Sequence, residues 1–453
     1  MLREDILAVG DILDQKQTGL LAGSAAFFFT SLFIYFARFA TSVIVARTLG
    51  VEGKGTYTLV LMLGALLVLF LSFGLNGSIT YLTARHLFTP KEINSFSILS
   101  SLLISIVGGF LFYYAYIYFL SGSFLAGTNA VEILLVILIL PVNLATLFLS
   151  SILLGEQQII AYSSINLLRV VSNLGFQIVS SLLNGGVIGA ILAWLVSNII
   201  AFCATIWILR KQFALKILFP RRVIRPAFSF GIKNYLANLF TFFNYRLDSF
   251  LVNYFSGLSS VGLYSVGVST AELIWYIPNA ISSALFPKSS TLEKDVAARL
   301  TAQTCRQTIF VTAPLTVLLA LMSPYLIPLI YGQAFSASVA PFLWLLPGIL
   351  FVSLSKIISA NLSGMGKPQY ATYTSGITII MTIALDIALI PSLGIVGAAI
   401  ASSSAYMASA LLSLVWFSRE TNTPWIDVIL PRQNDITILI QRAILIASRL
   451  RNR

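Results

Sequence analysis

Twelve long apolar runs follow one another along this chain of 453 residues, and they constrain its fold more than any other feature. A helix needs about 20 apolar residues to cross a bilayer, and each run is about that long or longer. The predicted spans are residues 20–46, 57–82, 94–119, 131–154, 160–183, 187–210, 227–255, 261–285, 308–331, 338–362, 371–391 and 395–418. Hydrophobic residues make up 58% of the chain and charged residues only 10%, whereas about a quarter of a soluble domain is charged. The sequence therefore predicts an all-α polytopic membrane protein with about 12 transmembrane helices.

The basic residues predict which way the chain crosses the membrane. Most of the 28 lysines and arginines fall in the two terminal segments and in every second connection, and only Arg47 and Lys54 fall in the other connections. Lysine and arginine near helix ends are retained on the cytoplasmic side. We therefore expect a plasma-membrane protein with both termini in the cytoplasm. The net charge of +12 then reflects topology and contact with anionic membrane lipids, and we expect no nucleic-acid partner.

The apolar runs divide the chain into five segments. A cytoplasmic segment, residues 1–19, precedes the first run, which is too long to be the apolar region of a secretory signal peptide. Two six-helix lobes, residues 20–210 and 227–418, are joined by the basic cytoplasmic linker 211–226. The last segment, residues 419–453, has an apolar part too short to span the membrane, so we expect a helix at the cytoplasmic membrane surface.

The two lobes resemble each other at an offset of about 208 residues. Residues 186–193, GVIGAILA, align with residues 394–401, GIVGAAIA, and residues 55–57, GTY, align with residues 262–264, GLY. Small residues also recur simply because they let helices pack closely, but here their order and spacing are preserved as well. Six spans separate the copies, so both copies have the same orientation. Parallel repeats of this kind are typical of transporters, in which two bundles move around a central site.

Cysteine and histidine offer no basis for a disulfide framework, a metal centre or a cofactor. The chain has two cysteines, Cys203 and Cys305, and one histidine, His86. Their separation lacks the spacing of a metal-ligand motif. We expect all three to be packing or surface residues, and we expect no metal and no cofactor.

Three motifs in the sequence resemble those of a known family. Residues 46–57, ARTLGVEGKGTY, are similar to a hallmark of the O-antigen (Wzx-type) polysaccharide flippases at the outer loop after their first helix. Residues 261–287 hold a pattern similar to the family's eighth helix, and residues 389–401, LIPSLGIVGAAIA, are similar to its C-terminal signature. Over residues 20–418 the chain resembles these flippases, which are part of the multidrug/oligosaccharidyl-lipid/polysaccharide exporter superfamily.

The resemblance implies a transporter and not an enzyme. The implied activity is the movement of a polyprenyl-diphosphate-linked oligosaccharide across the plasma membrane by alternating access, for surface polysaccharide synthesis. The implied partners are this lipid-linked substrate, membrane lipids and polysaccharide-assembly proteins. Family members often carry asparagine where Asp386 stands, so the resemblance gives that acid no role.

Five cations lie inside the predicted spans, where a charge costs about 2.5–3.5 kcal/mol unless it has a partner or a wet cavity. They are Arg38, Arg169, Lys233, Arg246 and Lys356. The acids inside the spans are fewer, namely Asp248, Glu272 and Asp386. This surplus of positive charge suits a polyanionic head group such as a lipid-linked diphosphate. We expect the weaker contributions to binding from the cations that helix ends and interfaces accommodate most easily, namely Arg169, Lys233 and Lys356.

Arg38 and Arg246 are the leading candidates to bind the diphosphate. They occupy nearly corresponding positions in the two repeats, and arginine binds phosphate oxygens through two parallel hydrogen bonds. A clamp made of the two arginines and a purely structural role are equally open at this point. In the structural alternative, Arg246 pairs with Asp248 or Glu272, and Arg38 extends toward the membrane surface.

Asp248 and Glu272 are candidates for binding a coupling ion or a proton. A carboxyl group buried in an apolar environment tends to hold its proton. A salt bridge that joins helices is the alternative, and the nearby arginine favours it.

Three other functions compete with the flippase. A cation-coupled multidrug exporter of the same superfamily needs an acid in the first lobe, and that lobe has none in the middle of a span. A membrane glycan polymerase or ligase needs a large extramembrane loop with acids or bases, but the outer connections are short. A pure scaffold would leave the embedded cations without a purpose.

Overall fold

The computed structural model of the protein describes residues 2–212 and 221–430, without the side chains of residues 2–29, 31, 233 and 234. The described residues form α-helices with short 3₁₀ and π turns and contain no strand. The all-α prediction is confirmed. Half of the predicted linker and the surface helix predicted for the last segment lie outside the described residues.

Twelve α-helices make up the described chain. They are α1 (Leu2–Ser72), α2 (Leu75–Ala84), α3 (Pro90–Ala115), α4 (Ala130–Gly155), α5 (Ile159–Leu182), α6 (Gly186–Leu209), α7 (Arg221–Ala271), α8 (Tyr276–Thr291), α9 (Lys294–Tyr331), α10 (Val339–Gly364), α11 (Gln369–Thr421) and α12 (Trp425–Ile429). Glu272–Trp275 forms a 3₁₀ turn between α7 and α8. Within the described residues, 8 helices are long and apolar enough to cross a membrane.

Three of the longest helices are each broken at one glycine. Gly50 in α1 has a φ of 69°, Gly257 in α7 has a φ of 78° and Gly394 in α11 has a φ of 57°. This left-handed backbone is open to glycine and strained for other residues. Each of the three helices therefore consists of two segments and carries two of the predicted spans, and the second spans of α1 and α7 continue into α2 and α8. Counted in this way, the long helices account for all the predicted spans.

The glycine breaks fall at corresponding positions of the two repeats. Gly50 and Gly257 are both breaks, and they are 207 residues apart, the offset that also relates Gly55 to Gly262. Gly394 corresponds to Gly186, which has a φ of 62° at the start of α6. The repeat is thus present in the backbone, because each copy turns back at the same glycine.

The chain divides into two compact units by its internal contacts. Unit 1 consists of Met1–Leu49, Val60–Ser121 and Thr128–Tyr235, and unit 2 of Gly50–Leu59, Gly122–Gly127 and Leu236–Arg453. Each unit has its own buried apolar core. The core of unit 1 includes Leu75, Ile79, Phe96, Phe148 and Leu149. The core of unit 2 includes Leu285, Ala302, Leu354, Ile357 and Phe417. The segment boundaries predicted from the sequence stay a prediction.

The glycines of the aligned GTY and GLY motifs lie against each other's helix in unit 2. A Cβ atom on Gly55 would lie 1.9 Å from the carbonyl oxygen of Leu258, and one on Gly262 would lie 2.0 Å from the carbonyl oxygen of Val51. Val51 and Leu258 correspond to each other at the same offset, so the contact is symmetrical. Two backbones approach this closely only where neither has a side chain.

Candidate functional site

Arg246 and Glu272 form an ion pair in unit 2. Arg246 lies on α7, and Glu272 begins the 3₁₀ turn that follows it. The two guanidinium nitrogens lie 3.0 and 3.1 Å from the two carboxylate oxygens. The side chains are 30% and 21% exposed, so the pair is only partly buried. Of the two partners predicted for a structural Arg246, the structure has Glu272.

Lys356 of α10 lies beside this pair among three aromatic rings. Its ammonium donates a hydrogen bond to the side-chain oxygen of Asn279 at 2.9 Å. It also lies 4.1 Å from the ring centre of Trp275 and 5.6 Å from that of Tyr245. Tyr406 completes the group, with its ring centre 5.7 Å from Tyr245 and 5.6 Å from Trp275. Aromatic faces attract a cation, so the rings hold the ammonium in place without neutralising its charge.

We call Arg246, Glu272 and Lys356, with the three aromatic rings, the cationic cluster of unit 2. Its two cations and one acid leave a net positive charge. Arginine offers a planar set of donors for phosphate oxygens, while lysine supplies a mobile point charge. The cluster is therefore suited to bind an anion next to apolar ring faces.

Unit 1 contains two of the other predicted cations. Arg169 on α5 donates a hydrogen bond to the side chain of Asn166 at 2.8 Å. Arg38 on α1 is exposed, and it lies close enough to Arg169 for the two charges to interact. Two like charges near each other repel, so an anion bound between them would lower the electrostatic energy.

The remaining predicted cation and the predicted clamp stay predictions. Lys233 lies in α7, and its side chain is outside the described residues. Arg38 belongs to unit 1 and Arg246 to unit 2. The surroundings of each arginine are therefore given within its own unit, and the clamp between the two arginines stays a prediction.

Asp248 occupies a different environment from Glu272. It is 3% exposed, and each of its carboxylate oxygens accepts two hydrogen bonds. Oδ1 accepts from the backbone N–H of Ser249 at 2.6 Å and from the Ser249 hydroxyl at 3.3 Å. Oδ2 accepts from the hydroxyls of Tyr264 and Ser402. The four donors stabilise the charged carboxylate, whose burial without hydrogen bonds would cost free energy.

Asp386 is the residue that the sequence reasoning left without a role. It is fully buried on α11, and neither carboxyl oxygen has a hydrogen-bond partner among the described residues. Asp248 lies close enough to interact with it electrostatically. The sequence held a signal for this position: Thr374, Thr378, Thr382 and Asp386 recur every fourth residue and so share one face of a helix.

A family model described as "Polysaccharide biosynthesis protein" matches residues 44–340, which is more than half of the chain. The chain belongs to this family. The matched residues include Gly55, Asp248 and the ion pair of the cationic cluster, but not Lys356. Asp386 lies beyond the matched residues.

Two relatives and one solved structure are similar to this family member. An uncharacterized membrane protein of Methanocaldococcus jannaschii is 29% identical over 48% of this chain and 44% of its own length, so the chain spans less than half of that relative. Agl15 of Haloferax volcanii, named as a probable low-salt glycan biosynthesis flippase, is 22% identical over 88% of this chain and 84% of its own. The lipid II flippase MurJ, in an inward closed conformation, has a TM-score of 0.73 at 17% identity, with 89% of each chain covered.

These similarities define the general class of the protein. It is a multi-pass membrane protein with the fold of the multidrug/oligosaccharidyl-lipid/polysaccharide exporter superfamily. The resemblance to polysaccharide flippases is confirmed. At 17% identity the structural neighbour shows the fold and not the cargo.

Proposed function

We propose that this transporter moves a polyprenyl-diphosphate-linked oligosaccharide across the plasma membrane by alternating access, for surface polysaccharide synthesis. The observation that carries the proposal is the positive charge of the polar sites in the membrane-embedded helices. Unit 1 holds Arg38 and Arg169, and the cationic cluster of unit 2 holds Arg246 and Lys356 against one acid. We infer that both termini lie in the cytoplasm, as the distribution of basic residues predicts.

The diphosphate is the part of the substrate that needs these cations. Its head group must leave water and pass through about 30 Å of hydrocarbon, while the polyprenol tail can stay in lipid. Arg246 would bind phosphate oxygens by exchanging part of its contact with Glu272. The aromatic rings beside Lys356 would lie against the apolar face of a sugar. The protein's role in this scheme is transport, with no catalytic step.

We further propose that Asp248 and Asp386 couple transport to an ion gradient. Asp248 has donors for a charged carboxylate, whereas Asp386 is buried without any among the described residues. An acid in that environment is stable only when neutral or when paired with a cation. A cation-coupled multidrug exporter would need an acid in the first lobe, which has none in the middle of a predicted span. The surplus of cations argues against a cationic drug as the cargo.

A lipid analysis of cells that lack this protein tests the proposed cargo. We expect a polyprenyl-diphosphate-linked glycan to accumulate on the inner leaflet of the plasma membrane, and the wild-type gene to reverse this. Accumulation on the outer leaflet would point to a polymerase or ligase instead. Normal lipids with an altered sensitivity to toxic compounds would favour the drug exporter.

A further inference from the structure

A small polar cavity lies inside unit 2, near the cationic cluster. It has a volume of about 30 Å³, which is room for two or three water molecules at about 10–15 Å³ each. Its lining combines hydroxyl, amide and phenol groups with two apolar side chains, those of Val352 and Ala405. The polar lining residues are Thr241, Asn244, Tyr245, Ser375, Thr378, Tyr406 and Ser409. Thr241 is exposed, so one end of the lining reaches the surface of the protein.

Asn244 indicates that this cavity binds water. The residue is 8% exposed, and its side-chain nitrogen donates to the carbonyl oxygen of Ser375 at 2.9 Å. Its side-chain oxygen has no partner among the described residues, although it belongs to a residue that lines the cavity. A buried amide oxygen loses free energy unless it accepts a hydrogen bond, and a water in the cavity would supply one.

A line of buried hydroxyls leads from the cavity toward Asp386. Thr378 lines the cavity, and Thr382 and Asp386 follow at intervals of four residues on the same face of α11. Thr378 and Asp386 are therefore about 12 Å apart along the helix. Thr378 and Thr382 are 3% and 1% exposed. Each donates its own proton to the carbonyl oxygen four residues earlier, at 2.9 Å, so its oxygen stays available to accept a hydrogen bond from water.

Asp386 is the fully buried residue that follows Thr382 on this face of α11. Both of its oxygens lack partners among the described residues, and Asp248 is the charged group that acts on it. The groups around Asp248 are Arg246, Ser249 and Tyr264 on α7 and Ser402 and Tyr406 on the second half of α11. A second negative charge at Asp386 would be buried close to the first.

We propose that water enters this cavity and passes along Thr378 and Thr382, and that this route delivers protons to the carboxyl group of Asp386. A hydrated proton arriving by the route protonates one carboxylate oxygen of Asp386 and leaves a neutral water behind. The reverse step returns the proton to water. The inference deepens the proposed coupling role of Asp248 and Asp386, and it names the proton as the ion and α11 as its path.

Infrared spectroscopy of the purified full-length protein tests the route without any substrate. The difference between the wild type and Asp386→Asn isolates the carbonyl stretch of a protonated Asp386. When the protein is moved into heavy water, this band shifts at the rate at which deuterium reaches the carboxyl group. We expect the band to be present, and the shift to be about tenfold slower in Thr378→Val/Thr382→Val, because each lost hydroxyl removes a hydrogen bond from the passing water.

Two further variants control for damage to the helix. Thr374→Val makes the same change at a buried position of the same face, on the far side of Thr378 from Asp386, and it should leave the exchange rate unchanged. Thr378→Ser/Thr382→Ser keeps both hydroxyls and should exchange like the wild type. If the serine variant is as slow as the valine variant, the route is wrong.

Other outcomes overturn the proposal in different ways. Absence of the band means that Asp386 is not protonated. An unchanged exchange rate in the double valine variant means that water reaches the acid elsewhere. Loss of the band in sodium chloride but not in choline chloride means that Asp386 binds sodium. Because no glycan is involved, a failure of glycan transport would contradict the proposed function and leave these results in place.

Discussion

The hydroxyl oxygens of Thr58 and Ser265, which occupy the same position in the two repeats, lie 3.4 Å apart in unit 2. One helical turn away, Gly55 and Gly262 bring the two backbones into contact. The two sequence motifs that resemble the flippase family therefore pack against each other. The contact explains why glycine and hydroxyl residues recur at the same spacing in both halves of the chain. Larger side chains at these positions would separate the two helices.

Alanine at this glycine contact should destabilise the protein. The new Cβ atom of Gly55→Ala or Gly262→Ala would lie about 2 Å from a backbone carbonyl oxygen, at the distances given above. We expect each variant to lose about 1–3 kcal/mol, as overpacked sites do, measured by thermal unfolding in detergent. Gly175→Ala on α5 is the matched control, because nothing lies within 4 Å of its Cβ position. Equal unfolding temperatures for Gly55→Ala and wild type would contradict this prediction, because they would show that the helices can move apart at no cost in stability.

The role of Arg246 can be separated from its ion pair. Arg246→Ala leaves Glu272 partly buried without its partner, so it should abolish glycan export and also reduce stability by about 1–3 kcal/mol. Arg246→Ala/Glu272→Gln removes the stranded charge and should restore stability but not export. Export is measured as surface polysaccharide at equal membrane levels of protein. Export restored by the double variant would mean that Arg246 is structural only.

Arg38→Ala should abolish export without a comparable loss of stability. Arg38 is exposed, so the change removes charge near Arg169 without opening a core cavity. Arg38→Lys keeps the charge but not the paired donors, and we expect partial activity from it. Full export by the Arg38→Ala/Arg246→Ala variant would contradict the diphosphate clamp.

Lys356→Met should slow the transport of an anionic head group. The substitution keeps the length of the side chain but removes the charge held between Asn279 and the aromatic rings. We expect a rate about tenfold to a hundredfold lower, equivalent to one charged hydrogen bond, in vesicles loaded with a fluorescent lipid-linked oligosaccharide. Lys367→Met is the control, since Lys367 pairs with Glu420, away from the cluster. A similar loss of transport rate in both variants would show that the effect is not specific to Lys356.

Replacing Asp248 or Asp386 with alanine should reduce the stability of the protein by different amounts. Asp248→Ala strands four hydrogen-bond donors, so it should cost about 1–3 kcal/mol or more. Asp386→Ala removes a group with no partner among the described residues and should cost less. Thermal unfolding compares the two, and the opposite order would show that Asp386 has the more important interactions. We expect both variants to lose ion-coupled transport.

Much of the architecture follows from local properties of the sequence. The apolar runs, the alternation of basic connections and the recurrence of glycine predicted the spans and the repeat, since each depends on residues that are close in the chain. The glycine break at Gly394 falls in a repeated motif, and those at Gly50 and Gly257 each lie five residues before the aligned GTY and GLY motifs. The number of spans exceeds the number of long helices, because α1, α7 and α11 are each broken at a glycine and contain two spans.

The partners of the embedded charges depended on the tertiary structure. The sequence by itself determined that cations outnumber acids in the membrane and that Arg246 has Asp248 and Glu272 within reach. Only the packing of α7, the 3₁₀ turn and α11 decided that Arg246 binds Glu272, that Asp248 is surrounded by hydroxyl donors and that Asp386 is buried beside it. Spacing along one helix determines which residues share a face, whereas the stability of a buried charge depends on donors that other helices bring to it.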